Sequence, residues 1–199
     1  MALPPKKLIL ASRSPRRSDL LGSLGVPFEV SPSHVEEHTD PERSPEENAL
    51  SIARDKARWV AGKFPDHYIL GADTMVVLGR EIIGQPVDKE DAFRILSRLA
   101  GKTHRVVTGV VLIEPNGTDH EVAVSSNVAI KSASGEEIRS YIATGEPMDK
   151  AGAYAIQGEG SFLVESWEGS YSNIVGLPLE ALTDLLNKAG FDVSGGEPK

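Results

Sequence analysis

Cysteine is absent from the 199 residues. The chain therefore has no disulfide framework and no thiolate metal site, which fits an expected cytoplasmic location. No stretch approaches the roughly 18 consecutive apolar residues of a membrane span. The opening Met1-Ala-Leu-Pro-Pro-Lys-Lys7 lacks the apolar core and cleavage site of a secretory leader. Positive charge is scarce: 21 Lys and Arg face 29 Asp and Glu, a net −8. General nucleic-acid binding needs a basic face, so none is expected. A small phosphorylated ligand remains admissible, because a few local cations and a divalent metal suffice to hold one. The common phosphate and catalytic signatures are missing too. There is no Gly-x-x-x-x-Gly-Lys-Ser/Thr loop, Gly-x-Gly-x-x-Gly fingerprint, His-Glu-x-x-His or Gly-x-Ser-x-Gly. There is also no internal repeat and no low-complexity linker.

With 40% hydrophobic residues the chain can build a sizeable core. The length predicts one domain over 1–191 with two lobes, followed by a frayed tail over 192–199.

The most informative stretch is Leu8-Ile-Leu-Ala-Ser-Arg-Ser-Pro-Arg-Arg17. Leu8 to Ala11 read as a short buried strand. Ser14 stands at a helix N-cap and Pro15 at the first helical position, where its missing N–H costs nothing. Arg16 and Arg17 then fall in the first turn, at the positive end of the helix dipole. Each is misplaced there by about 0.3–1 kcal/mol. A bound anion reverses that sign, so Ser12, Ser14, Arg16 and Arg17 form a candidate phosphate cradle. The alternative is a solvated basic turn.

Further along, His34 to Pro41 reads as an acidic loop. Glu36 and Glu37 there are either solvated or a source of one carboxylate for Mg²⁺. Ser44-Pro-Glu-Glu47 is a capping box opening a helix to about Gly62. At about 100° per residue, Lys56 falls inside the stripe formed by Ala49, Ile52, Ala53 and Val60. An inward lysine needs an anion or room to snorkel. Tyr68 to Leu78 is an apolar strand interrupted by Asp73-Thr74. A strand aspartate among apolar neighbours needs a partner or a metal, which makes Asp73 a candidate metal ligand or general base. A hairpin return follows over 79–84. Asp88 caps a helix with Ala92, Phe93, Leu96 and Leu99 inward. Arg105 to Ile113 and Glu121 to Lys131 read as paired strands around Pro115-Asn-Gly117. Ser134-Gly-Glu-Glu137 opens a helix with Ile138, Tyr141 and Ile142 inward. The glycine-rich loop over 146–160 can bring backbone close to a ligand, and Gln157 in it carries both a donor and an acceptor. Ser161 to Trp167 and Tyr171 to Val175 read as strands, and Pro178 starts a last helix that ends at Gly190.

Five segments together resemble the Maf family of nucleotide pyrophosphatases, also called septum formation inhibitor Maf. They are Leu10-Ala-Ser-Arg-Ser-Pro-Arg-Arg17, Gly71-Ala-Asp-Thr74, Leu99-Ala-Gly-Lys-Thr-His-Arg-Val-Val-Thr108, Asp149-Lys-Ala-Gly-Ala-Tyr-Ala-Ile-Gln-Gly158 and Gly169-Ser-Tyr-Ser-Asn-Ile-Val-Gly-Leu-Pro178. They stand in the family order and span residues 8 to 188. The resemblance implies an α/β fold with a mixed, elongated, curved sheet flanked by helices around a central cleft, similar to inosine-triphosphate pyrophosphatases. It implies hydrolysis of a nucleoside triphosphate to monophosphate and pyrophosphate with Mg²⁺ or Mn²⁺, in a homodimer.

Carried onto this chain, the resemblance makes Asp73 the proton acceptor. Arg17, Thr74 and Gln157 become specificity positions, and Glu37 and Lys56 further functional positions. Asp73 and Glu37 are the carboxylates expected to hold the metal. Lys150 lies in the same loop as Gln157 and joins the substrate-binding set. That loop is similar to relatives acting on dTTP and UTP rather than 7-methyl-GTP, and modified pyrimidine nucleotides belong to the same expectation. A link to division arrest is part of the family picture. It leaves a nucleotide-binding regulator of septum formation, with incidental hydrolysis, as the alternative. One departure is Gln85, which stands before Pro86 where the family usually has lysine.

Overall fold

The computed structural model describes residues 6–191 and 193. The fold is mixed α/β, with helices flanking a seven-stranded sheet of hydrogen-bonded order β2-β1-β3-β5-β6-β7 and β4 on β3. The elements are β1 (Leu8–Leu10), α1 (Pro15–Ser23), β2 (Phe28–Val30), α2 (Pro45–Ala61), β3 (Tyr68–Leu78), β4 (Glu81–Ile83), α3 (Lys89–Leu99), β5 (Thr103–Ile113), β6 (Asp119–Ile130), α4 (Gly135–Ala143), β7 (Val164–Glu168), α5 (Tyr171–Val175) and α6 (Leu179–Lys188). Three 3₁₀ turns, Glu146–Asp149, Ala151–Ala153 and Gly158–Leu163, lie between α4 and β7. β1 runs parallel to β2 and β3, whereas β4 on β3 and β7 on β6 are antiparallel.

Two compact units divide the chain. The first comprises residues up to Asp73, Thr108–Val124 and residues from Gly176 onward; the second comprises Thr74–Val107 and Ser125–Val175. In the first unit the period-2 alternation of strands sorts side chains to two faces. Leu8, Leu10, Leu70, Ala72, Val110 and Leu112 pack with Leu21 of α1 and with Leu182, Leu185 and Leu186 of α6. Ile9, Ala11, Ile69, Val111 and Ile113 face the other way, onto Ala53, Ala57 and Val60 of α2. α2 lies close on the sheet because two strand positions carry no side chain. A Cβ on Gly71 would collide with the Ala53 carbonyl, and one on Gly109 would come within 2.5 Å of the Ala49 carbonyl carbon. The expected tail lies outside the described residues apart from Val193, which packs with Phe191 against this core.

In the second unit α3 packs on α4 and on the first two 3₁₀ turns. α3 buries Ala92, Ile95, Leu96 and Leu99. Phe93, expected inward, is instead half-buried beneath the Arg139 guanidinium, 4.5 Å from its ring centroid. Two further expectations fail after residue 160. Ser161 to Leu163 belong to a 3₁₀ turn, and the expected strand Tyr171–Val175 is the short helix α5. The Ser170 hydroxyl accepts the Asn173 N–H at 3.2 Å. Such a cap turns the chain into a helix despite the strand-forming Tyr171, Ile174 and Val175. Asn173 is fully buried; its amide donates to the Val106 carbonyl at 3.0 Å and the Ser126 hydroxyl at 2.9 Å.

Candidate active site

The first unit gathers most of the charged candidates. β1 is paired on both sides, and the ladder continues one residue as Ala11 N–H donates to the Leu70 carbonyl at 2.8 Å. The chain then turns through Ser12, which is 5% exposed, and enters α1 at Ser14. Ser14 is the N-cap residue with Pro15 after it, but its side chain makes no cap bond, and the first turn holds no acidic residue. The serines work in the opposite sense to a simple cap. Ser12 Oγ accepts the Ser14 N–H at 3.2 Å and an Arg17 Nη1–H at 3.4 Å. Arg17 Nε donates to the Gly176 carbonyl at 2.9 Å, so a residue just before α6 fixes the plane of the guanidinium. Arg16 is half-buried on the same turn, with no ion pair among the described residues.

The capping box at Ser44 forms as expected and sets the phase of α2. That phase turns Lys56 inward, where its side chain is 10% exposed. Its ammonium lies 2.7 Å from Asp73 Oδ1 and 2.7 Å from Glu37 Oε1. The loop delivering Glu37 is tied to α2: the Asn48 side chain accepts the Asp40 N–H at 2.7 Å and donates back to the Asp40 carbonyl at 2.9 Å. His34 on the same loop contacts Arg13 at 2.6 Å and stands edge-on to Trp59. Glu36 points to solvent beside His38, so of the two adjacent glutamates only Glu37 joins Lys56.

Burial raises the Asp73 pKa above the usual carboxylate range. Lys56 and Arg17 pull it down in part, and Glu37 pushes it up. Burial also lowers the Arg17 pKa, with Asp73 and Glu37 opposing that effect. Asp73 is thus a desolvated carboxylate beside two cations.

The donor set can be tested against a divalent cation. Among the described residues no group of three or more His, Asp or Glu forms a closed metal site. Two carboxylates converging on one positive centre do suit Mg²⁺ or Mn²⁺, which take one or two carboxylates and complete the shell with phosphate oxygens and water. Lys56 and Arg17 already offset the two carboxylates, so an added cation would come with the negative charge of a phosphate. The residues therefore fit a metal brought with a phosphate rather than one caged by protein ligands alone.

The second unit holds the remaining candidates. Thr74 is half-buried on β3. Lys150 is tethered, donating to the Glu146 carbonyl and to Asp149 Oδ1, each at 2.6 Å. Gln157 is exposed, at the residue before the third 3₁₀ turn, and its amide has no hydrogen bond among the described residues. The loop between Lys150 and Gln157 is under conformational constraint. Gly152 (φ 72°) and Ala153 (φ 57°) are both left-handed, and a Cβ on Gly152 would meet the Val76 methyls at 3.0 Å. That backbone region is uncommon for a residue with a side chain, such as Ala153. Gln85, in place of the family lysine, donates its amide to the Asp149 carbonyl at 3.2 Å and so braces the same loop.

Sequence reasoning passed over two residues here. Glu146 accepts from Tyr141 Oη, Glu159 N–H and Gly160 N–H, and Tyr141 was legible only as an inward ring. The only signal was the pair Gly158 and Gly160, whose missing side chains admit that carboxylate and hydroxyl.

Comparison with known proteins shows the family. The family model described as Maf-like protein matches residues 7–189. A protein of Dictyoglomus turgidum named dTTP/UTP pyrophosphatase is 50% identical over 190 residues, covering 94% of this chain and 98% of its own. One of the same name from Caldicellulosiruptor saccharolyticus is 46% identical over 197 residues, covering 96% and 99%. Among solved structures, a HAM1 protein from Coxiella burnetii aligns with a TM-score of 0.50 at 17% identity, covering 92% of this chain and all of that one, a likeness of fold. The match over nearly the whole chain means that this protein belongs to the Maf family.

Proposed function

We propose that this protein is a nucleoside triphosphate pyrophosphohydrolase that converts dTTP and UTP to their monophosphates and pyrophosphate. The observation that carries this reading is the buried carboxylate–ammonium–carboxylate group Asp73–Lys56–Glu37 beside Arg17. Family membership and the names of the relatives supply the substrate class.

Arg17 and Arg16, with the N–H groups at the start of α1, take the phosphates and offset their charge. Lys56 keeps Asp73 ionised and oriented in its buried position. Asp73 orients a water and accepts its proton as the water attacks phosphorus. Its raised pKa makes it a stronger base than a solvated carboxylate. Glu37 and Asp73 are the residues that would hold Mg²⁺ or Mn²⁺, which supplies charge neutralisation to the phosphates and acidity to bound water. Thr74, Lys150 and Gln157 contribute substrate contacts. A glutamine amide donates to a uracil or thymine carbonyl and accepts from the ring N–H; cytosine reverses that pattern and leaves polar groups unpaired. Modified pyrimidines with the same edge are further substrates, and the site of action is the cytoplasm.

The test is identification of products from a panel of nucleotides with and without Mn²⁺. Pyrophosphate with UMP or dTMP is expected. Orthophosphate, or no turnover of any pyrimidine nucleotide, refutes the proposal.

A further inference from the structure

Gln157 carries the choice of base in the reading above, yet its side chain is exposed and nothing in it fixes its direction. The order comes from the backbone on either side. Two residues before it, the Ala155 N–H donates to Tyr141 Oη at 3.2 Å. Two and three residues after it, the Glu159 N–H donates to Glu146 Oε1 at 3.1 Å and the Gly160 N–H to Glu146 Oε2 at 2.8 Å. The Tyr141 hydroxyl donates to the same Oε2 at 2.7 Å, joining both halves into one network.

The network is fitted to this segment. Gly158 is left-handed (φ 79°), and a Cβ there would overlap Glu146 Oε1. A Cβ on Gly160 would overlap the Tyr141 hydroxyl. Glu146 is itself fixed: its N–H donates to Thr144 Oγ1 at 3.1 Å, and its carbonyl accepts from Lys150. Burial opposes its charge, but the bonds from Tyr141, Gly160 and Glu159 outweigh that and hold its carboxyl below the usual range. It is therefore an ionised, acceptor-only group at neutral pH, as two backbone donors and a hydroxyl require.

We infer that Tyr141 and Glu146 are positioning residues for nucleotide specificity, their hydroxyl–carboxylate pair clamping the Ala155–Gly160 backbone so that Gln157 presents its amide in one orientation. The inference rests on Gln157 reading the base. Glu146→Gln is an informative substitution. Each carboxylate oxygen accepts a backbone N–H, so in either orientation the new amide turns an NH₂ group onto a donor. Tyr141→Phe breaks the same network while keeping the ring.

The experiment measures kcat and KM on UTP and CTP for wild type, Tyr141→Phe, Glu146→Gln, Gln157→Ala and the two double variants with Gln157→Ala. Thermal unfolding of each serves as a control. Misaligning one such hydrogen bond is expected to lower the UTP:CTP ratio of kcat/KM by about tenfold, through KM for UTP. The kcat for either nucleotide stays within about threefold. In the Gln157→Ala background the clamp substitutions change the ratio no further. A purely structural role would instead lower kcat/KM for both nucleotides alike and leave the ratio unmoved, which overturns the inference. So does a further loss of ratio in the double variants. A preference that survives Gln157→Ala itself overturns the base-reading role and this inference with it. A preference lost in Gln157→Ala but kept in both clamp variants overturns the inference alone.

Discussion

Replacing Lys56 by methionine removes the cation between Asp73 and Glu37 but keeps an unbranched stem to fill the α2 stripe. The Lys56 and Asp73 side chains are 10% and 9% exposed, with 2.7 Å between charged atoms. Removing one partner from a pair at that depth costs about 3–5 kcal/mol, because the remaining charge stays buried without compensation. The field of Arg17 still favours ionised Asp73, which places the expectation near the lower figure. A change of about 3 kcal/mol in a chain of this size lowers the unfolding midpoint by roughly 6–12 °C.

The penalty has a definite pH dependence. Burial raises the Asp73 pKa even with Lys56 present, and loss of Lys56 raises it further. A group whose folded pKa exceeds its unfolded value contributes stability below the unfolded value and loses that contribution as pH rises through the folded one. The Lys56→Met penalty is therefore largest where Asp73 is ionised and shrinks on acidification, as Asp73 takes up a proton. Adding Asp73→Asn removes the stranded charge and restores most of the loss. Urea unfolding of both single variants and the double variant, near neutral pH and at about pH 5, measures all of this. A loss below about 1 kcal/mol at neutrality, the range of an exposed pair, refutes the reasoning. So does a double variant that loses the sum of the two singles.

Three further outcomes follow from the same geometry. The acid limb of the pH profile for kcat/KM on UTP lies above the range of a solvated aspartate, since the role proposed for Asp73 requires its ionised form and burial raises its pKa; an acid limb in the ordinary carboxylate range contradicts this. Gly109→Ala drives a methyl into the α2 backbone at Ala49 and Leu50. It costs about 1–3 kcal/mol by urea unfolding and also lowers kcat, because α2 carries Lys56. Asn173→Ala leaves the Val106 carbonyl and Ser126 hydroxyl short of a donor. It costs about 1–3 kcal/mol in the same assay.

Much of the first unit was legible because its signals are local. The capping box at Ser44 fixed the phase of α2, and the phase fixed the inward direction of Lys56, seven residues beyond Ala49 at the centre of the stripe. Asp73 stood out as a carboxylate inside an apolar strand, and the structure supplies the partner that such a group requires. The identity of that partner was not legible, since Lys56 and Asp73 are joined by packing of α2 on β3. On local chemistry alone Glu36 and Glu37 were indistinguishable for the same reason, and the family resemblance alone singled out Glu37. Ser14 was legible as an N-cap position, but not as one whose side chain leaves the helix N–H groups uncapped.

The second unit was harder to read because side-chain bonds there override propensity. Tyr171, Ile174 and Val175 favour a strand, yet the Ser170 cap and the buried Asn173 amide make that segment helical. In the loop over 146–160 the organising group is one carboxylate reaching 13 and 14 residues along the chain, a pattern that neither periodicity nor turn chemistry announces.

The central claim is that Asp73, held by Lys56, takes the proton from the attacking water. Pyrophosphate release from UTP by Asp73→Asn, compared with wild type at equal metal and with folding checked by circular dichroism, tests it most directly. The amide keeps the size and the Lys56 hydrogen bond but cannot accept the proton, so a fall of about 10²–10⁴ in kcat with an unchanged fold is expected. Turnover within about tenfold of wild type by a folded Asp73→Asn protein contradicts the account.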